Sequence, residues 1–98
     1  MAVVGYLRFA PECVSRIRPH LHALVEATNR SDGCILYRAF EDALDPGVVR
    51  FSELWPDQAT FSRHLTALHV PPWREAVQRI GALERHFVVF DVTGAREI

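Results

Sequence analysis

Residues 34–55, CILYRAFEDALDPGVVRFSELW, are the passage from which the architecture can be worked out. Cys34 to Glu41 and Val48 to Trp55 are rich in β-branched and aromatic residues and read as two strands. Between them Asp45-Pro46-Gly47 is a turn signal with a mechanism in each residue, so the two strands form a hairpin. By the period of two, Phe51, Glu53 and Trp55 share one face of the second strand, and Arg50, Ser52 and Leu54 share the other. On the first, Ile35, Tyr37, Ala39 and Glu41 oppose Leu36, Arg38 and Phe40. Both faces carry apolar residues, which predicts that neither is freely solvated.

Working outward, Ala2 to Phe9 reads as a strand that ends before Pro11. Val14, Ile17, Leu21, Leu24, Val25 and Thr28 then recur at helical spacing. Pro19 inside that stripe predicts a kink or a fresh helix start, and Asn29 to Gly33 closes it. Beyond the hairpin, Pro56 stops the strand and Asp57 sits where a carboxylate caps a helix. Phe61, His64, Leu65 and Leu68 fall at i, i+3, i+4 and i+7, one helical face. Pro71-Pro72 breaks this helix, and Pro71 can restart one in its first turn. Trp73, Ala76, Val77 and Ile80 form the second piece's stripe, with Gly81 as a cap. His86 to Val92 reads as a strand, and Thr93 to Ile98 as a tail.

The order is β-α-β-β-α-β, the ferredoxin-like arrangement of the α+β class, with two helices on one face of a four-stranded antiparallel sheet. Residues 1–98 make one domain, its core spanning about residues 3–92. The opposite sheet face needs a cover, and a second copy packed sheet to sheet is the expected one.

Composition narrows the function. Apolar residues at 49% and charged residues at 23% are ordinary for a globular chain. A net charge of −1, with the arginines scattered, gives no case for nucleic acid or anionic lipid. No segment approaches the roughly 18 apolar residues of a membrane span. The start, Met1-Ala-Val-Val-Gly-Tyr, lacks a basic n-region, and Cys13 and Cys34 lack metal or redox spacing. The expected location is the cytoplasm. There is no phosphate loop, nucleophile elbow or dinucleotide fingerprint, so no nucleotide cofactor of the usual kind is expected.

His64 lies on an apolar stripe. It reads either as a general base whose neutral imidazole suits pH 7, or as a core histidine bonded to a carbonyl or carboxylate. Glu53, on the Phe51 and Trp55 side, is a buried carboxylate in need of a partner. His64 is the natural candidate, and a structural bond to a helix end is the alternative. His69 lies about 140° round a continuous helix from His64, which suits a capping role and disfavours zinc. No metal is expected. Tyr37, Trp55 and Trp73 either line a flat aromatic cavity or simply pack the core. His20, His22 and His86 show no organising pattern, and Arg38 and Arg50 lie on the other sheet face.

These motifs together resemble the antibiotic biosynthesis monooxygenase family. The quoted residues are Ser31-Asp32-Gly33-Cys34-Ile35-Leu36-Tyr37 leading into the second strand, Glu53-Leu54-Trp55 at the end of the third, His64-Leu65 through His69, and Trp73 beyond them. The resemblance implies a dimeric α+β barrel whose subunits each hold an apolar pocket between sheet and helices. It implies a cofactor-independent oxidation of an aromatic or quinol-type molecule by O2, with His64 and Glu53 as an acid–base pair and Tyr37 as a donor. Phe51, Trp55, Phe61, Leu65, His69 and Trp73 would line the pocket. The alternatives are a non-oxidative isomerase or tautomerase, and a dimeric binding protein without catalysis. The family's haem-degrading branch uses an Asn on the first strand and a His on the last helical piece. Here those places read Gly5-Tyr6 and Trp73-Arg-Glu-Ala-Val-Gln78, so haem is disfavoured.

Overall fold

A computed structural model describes residues 1–98. The elements run β1 (Ala2–Arg8), α1 (Val14–Ser31), β2 (Leu36–Glu41), β3 (Val48–Leu54), α2 (Gln58–Leu65), α3 (Val70–Ile80) and β4 (Glu84–Phe90), with a single 3-10 turn at Pro11–Cys13 before α1. All strand pairs are antiparallel, in the order β2-β3-β1-β4. This is the ferredoxin-like α+β fold, with the helices on one face.

The hairpin forms as the alternation predicts. Tyr37 pairs with Glu53 and Ala39 with Phe51. Phe51, Glu53 and Trp55 are all buried on the helix side. There they meet Val3 and Leu7 of β1 and Ile17, Leu21 and Leu24 of α1. Asp57 caps α2 by accepting from the Thr60 N–H, and Gly81 ends α3 at φ 95°.

Three local expectations are corrected. Pro19 neither breaks nor restarts α1, which runs unbroken through it. The carbonyl it leaves unbonded is that of Ser15, and both residues lie on the solvent side, where water can take the place of the lost donor. Leu68 is 93% exposed rather than on the core face. The helix has already ended, because the Ala67 N–H bonds back to the His64 carbonyl and the Thr66 N–H to that of Arg63. Finally, β4 begins at Glu84 rather than at His86. The Leu83 N–H reaches the Arg8 carbonyl at 2.7 Å, and pairing continues as Arg8 with Glu84 and Leu7 with Arg85.

Gly5, at the centre of β1, pairs with Phe87 on β4. A Cβ at Gly5 would run into the Phe87 ring and the His86 carbonyl. The bare backbone lets that ring lie across the sheet, 5.4 Å from the ring of Phe51. The far face of the sheet exposes Val4, Phe40, Leu54, Val88 and Phe90. Arg50 lies on that face, paired with Asp42 and set over the Tyr6 ring. No helix is long and apolar enough to cross a membrane.

Candidate active site

Between the helix side of the sheet and the helices α2 and α3 lies a cavity of about 670 Å³. The sheet contributes Tyr37, Phe51 and Glu53, the helices Phe61, His64, Leu65 and Trp73, and β4 closes the side with Phe87 and Val89. Phe51 sits at the centre of the aromatic lining, edge-on to Trp73 at 6.1 Å. Trp55 and His69 stand behind this wall. Trp55 packs its indole against the His64 ring at 4.9 Å, and His69 begins α3 as its N-cap. Leu65 lines the cavity with part of its side chain in solvent.

The partners of the two central groups differ from the expected pair. Glu53 accepts from the Trp55 indole N–H at 2.9 Å, since residues two apart on a strand share a face. His64 instead turns Nδ1 to Asp32 Oδ2, at 2.7 Å. Asp32 caps the C-terminus of α1, with its N–H on the Thr28 carbonyl. Gly33 follows at φ 76°, the left-handed turn that leads the chain away to β2.

In the sequence Asp32 reads only as part of the helix stop and of the motif leading into the second strand, with no chemical role of its own. A signal for it exists. A carboxylate at a helix C-terminus faces the negative end of the dipole, so an acid there needs compensation from elsewhere. Here two histidines supply it, for His69 Nε2 also lies 2.7 Å from Asp32 Oδ2.

A continuous helix would hold His69 on a different face from His64. The helix ends at Leu65, and the turn through Thr66–His69 swings His69 back to the same carboxylate. Asp32, His64 and His69 thus bring three ligand atoms within 4.8 Å of one another. The two separations of 2.7 Å are hydrogen-bond lengths. As arranged, the trio is an acid orienting an imidazole, with a second imidazole bracing the acid.

The electrostatics divide the roles. His64 is 5% exposed. Burial holds its pKa below the ordinary value, against the opposing pull of Asp32. With Nδ1–H donating to the carboxylate, the Nε2 lone pair is left without a protein partner on the cavity side. Glu53 is 6% exposed, and burial pushes its carboxyl up to about 7 against the indole's hydrogen bond. Burial, and then the charge of Glu53, push the Tyr37 hydroxyl well above the ordinary phenol range. Tyr37 therefore stays protonated, and its hydroxyl makes no hydrogen bond within the protein. The Tyr37 and His64 rings lie 5.3 Å apart. A neutral base, an acid poised near neutrality and an unused phenolic donor meet in one apolar cavity.

Comparison with known proteins gives the chain its family. No curated protein matches the sequence. Among solved structures, a Deinococcus radiodurans protein provisionally named an antibiotic biosynthesis monooxygenase is similar, with TM-score 0.89, 25% identity, and 100% of this chain and 98% of that one covered. Another, called an antibiotic biosynthesis monooxygenase, has TM-score 0.78 and 30% identity over 96% of this chain and 100% of that one. Rv0793 of Mycobacterium tuberculosis shares the fold, with TM-score 0.85 and 23% identity over 98% of this chain and 97% of that one. The family model for antibiotic biosynthesis monooxygenase matches residues 1–79, from β1 through nearly all of α3 and so across Tyr37, Glu53 and His64. This chain belongs to the antibiotic biosynthesis monooxygenase family.

Proposed function

We propose that the protein is a cofactor-independent monooxygenase that oxidises an aromatic or quinol-type small molecule with O2. The supporting observation is His64, with Nδ1 tied to Asp32 and Nε2 free in an apolar cavity. Nε2 takes a phenolic or enolic proton from the substrate, and Asp32 stabilises the imidazolium that results. Tyr37 donates to the developing oxyanion, whose charge is worth more to a donor away from water. The electron-rich anion passes electrons to O2. For a quinol the balance is quinol plus O2 giving hydroxyquinone plus water, the quinol itself supplying both electrons and both protons for the second oxygen atom.

The working form is a homodimer joined through the exposed apolar sheet face, in the cytoplasm, where Cys13 and Cys34 stay as thiols. Oxygen-electrode measurements with a panel of hydroquinones and anthrones test the reading. Uptake stoichiometric with product and lost in His64→Ala is expected. No uptake on any of them overturns it.

Glu53 favours a second reading. An acid poised near pH 7, together with a neutral histidine, also suits an isomerase that moves a proton between two carbons or oxygens of an enolisable substrate. Turnover that continues unchanged under argon selects it.

A further inference from the structure

Besides Tyr37, Glu53 and His64, three polar side chains line the cavity, and the chemistry above leaves them unused: Arg74 and Gln78 of α3, and Arg85 of β4. Arg85 is the oddest. It pairs with Leu7, and Phe87 two residues on pairs with Gly5, so Arg85 stands on the helix side of the sheet, where its neighbours are core residues. Its guanidinium lies 4.8 Å from the centre of the Phe87 ring. Stacking on an aromatic face leaves the in-plane N–H groups free to donate.

Arg74 makes one long bond, from Nη2 to the Leu65 carbonyl at 3.3 Å. Neither arginine has a carboxylate within ion-pair distance. The acids near the cavity do not answer them. Asp32 is held by two histidines and Glu53 by an indole. Two cations thus border an apolar chamber with no carboxylate paired to either.

We propose that the ligand of this cavity is an aromatic acid, its fused-ring body among Phe51, Trp73 and Phe87 and its carboxylate met by the free arginines of the lining, Arg85 and Arg74. This deepens the reading of the cavity as the substrate site and rests on it. A body of that size suits a chamber of about 670 Å³. The arginines supply what an apolar pocket lacks, a term that distinguishes an acid from a neutral molecule of the same shape.

Calorimetric titration of the full-length protein with 2-naphthoate and with the neutral isostere 2-naphthamide tests this. The acid is expected to bind tighter on the order of tenfold, as hydrogen bonds to charged groups allow, and added salt should narrow the gap. In the Arg74→Gln/Arg85→Gln double variant the two should bind alike, with the unfolding temperature close to wild type because both side chains are exposed. Equal binding of the two by the wild type overturns the proposal. So does a preference that survives in the double variant, and so does binding of neither at millimolar concentration. The titration needs neither oxygen nor turnover. A preference for the acid alongside no O2 uptake on hydroxylated naphthoates sinks the oxidation and leaves the anion site standing, and O2 uptake with no such preference does the reverse.

Discussion

Asp32 Oδ2 lies 2.7 Å from His64 Nδ1, although the two residues stand 32 positions apart and on different helix ends. The bond selects the tautomer that leaves Nε2 as an acceptor, and a carboxylate is the strongest partner a developing imidazolium can have. Asp32→Asn keeps the shape and removes the charge. It should lower kcat/KM by roughly 10²-fold or more while circular dichroism shows the same fold. Steady-state kinetics of the variant check this, and activity within a few-fold of wild type would show that His64 is not the base.

Tyr37 gives a prediction of opposite balance. Its hydroxyl has no partner in the protein, so Tyr37→Phe breaks no internal hydrogen bond. Thermal unfolding should shift by no more than about 0.5 kcal/mol. If the hydroxyl serves a substrate oxyanion, kcat should fall roughly 10- to 100-fold. A stability loss with unchanged kcat would make Tyr37 a packing residue only.

Glu53 predicts a pH dependence whose sign can be worked out. Burial raises its carboxyl from the ordinary 4.5 to about 7. Between those values the folded chain keeps a proton that the unfolded chain has lost, so stability falls as pH rises through that window. Above it the full cost, about 3 kcal/mol, is in force. Glu53→Gln removes the titration and keeps an acceptor for the Trp55 indole. The variant should gain on wild type by about that amount between pH 4 and pH 8. His64, whose pKa is lowered, loses stability as pH falls and does so in both proteins, so it cancels in the difference. Chemical denaturation of the pair across that range is the measurement, and parallel curves would refute it.

Gly5 tests the packing of the cavity wall. Its Cβ position is occupied by the Phe87 ring and the His86 carbonyl, and backbone on one side cannot yield. Gly5→Ala should cost about 1–3 kcal/mol and weaken ligand binding at the same time, read by thermal shift with and without ligand.

On the far face, Val4 stands between Ser52 and Val88 and is exposed. If a second copy covers this surface, Val4→Glu should convert a dimer into a monomer at micromolar concentration. Sedimentation velocity distinguishes the two, and a wild-type monomer would rule the dimer out.

Local signals in the sequence proved dependable, except Pro19, through which α1 runs unbroken. Asp45-Pro46-Gly47 placed the hairpin, Asp57 the start of α2, and Pro71 the restart as α3, because each acts within a few residues of itself. The two faces of β3 followed from alternation alone, and so did the burial of Glu53. What could not be read depends on where a helix stops. Extending α2 past Leu65 put Leu68 in the core and His69 out of reach of His64. The turn after Leu65 reverses both placements. Pairing Glu53 with His64 failed for a related reason. Each had a partner set by another distance scale, the indole two residues along the strand and a carboxylate from the end of α1.

That carboxylate touches the last turn of α2 and the N-cap of α3 while closing α1 itself. One oxygen atom is thus a shared fastening for three helix ends, and the imidazole proposed as base hangs from it. Changes that remove this oxygen or either imidazole disturb architecture and chemistry together and leave little room for drift there. The opposite side of the chamber has no such double duty: Gln78 and Arg85 bear on what is bound but on nothing that holds the helices. New substrates would then be acquired along α3 and β4, with the fastened end of the molecule kept as it is.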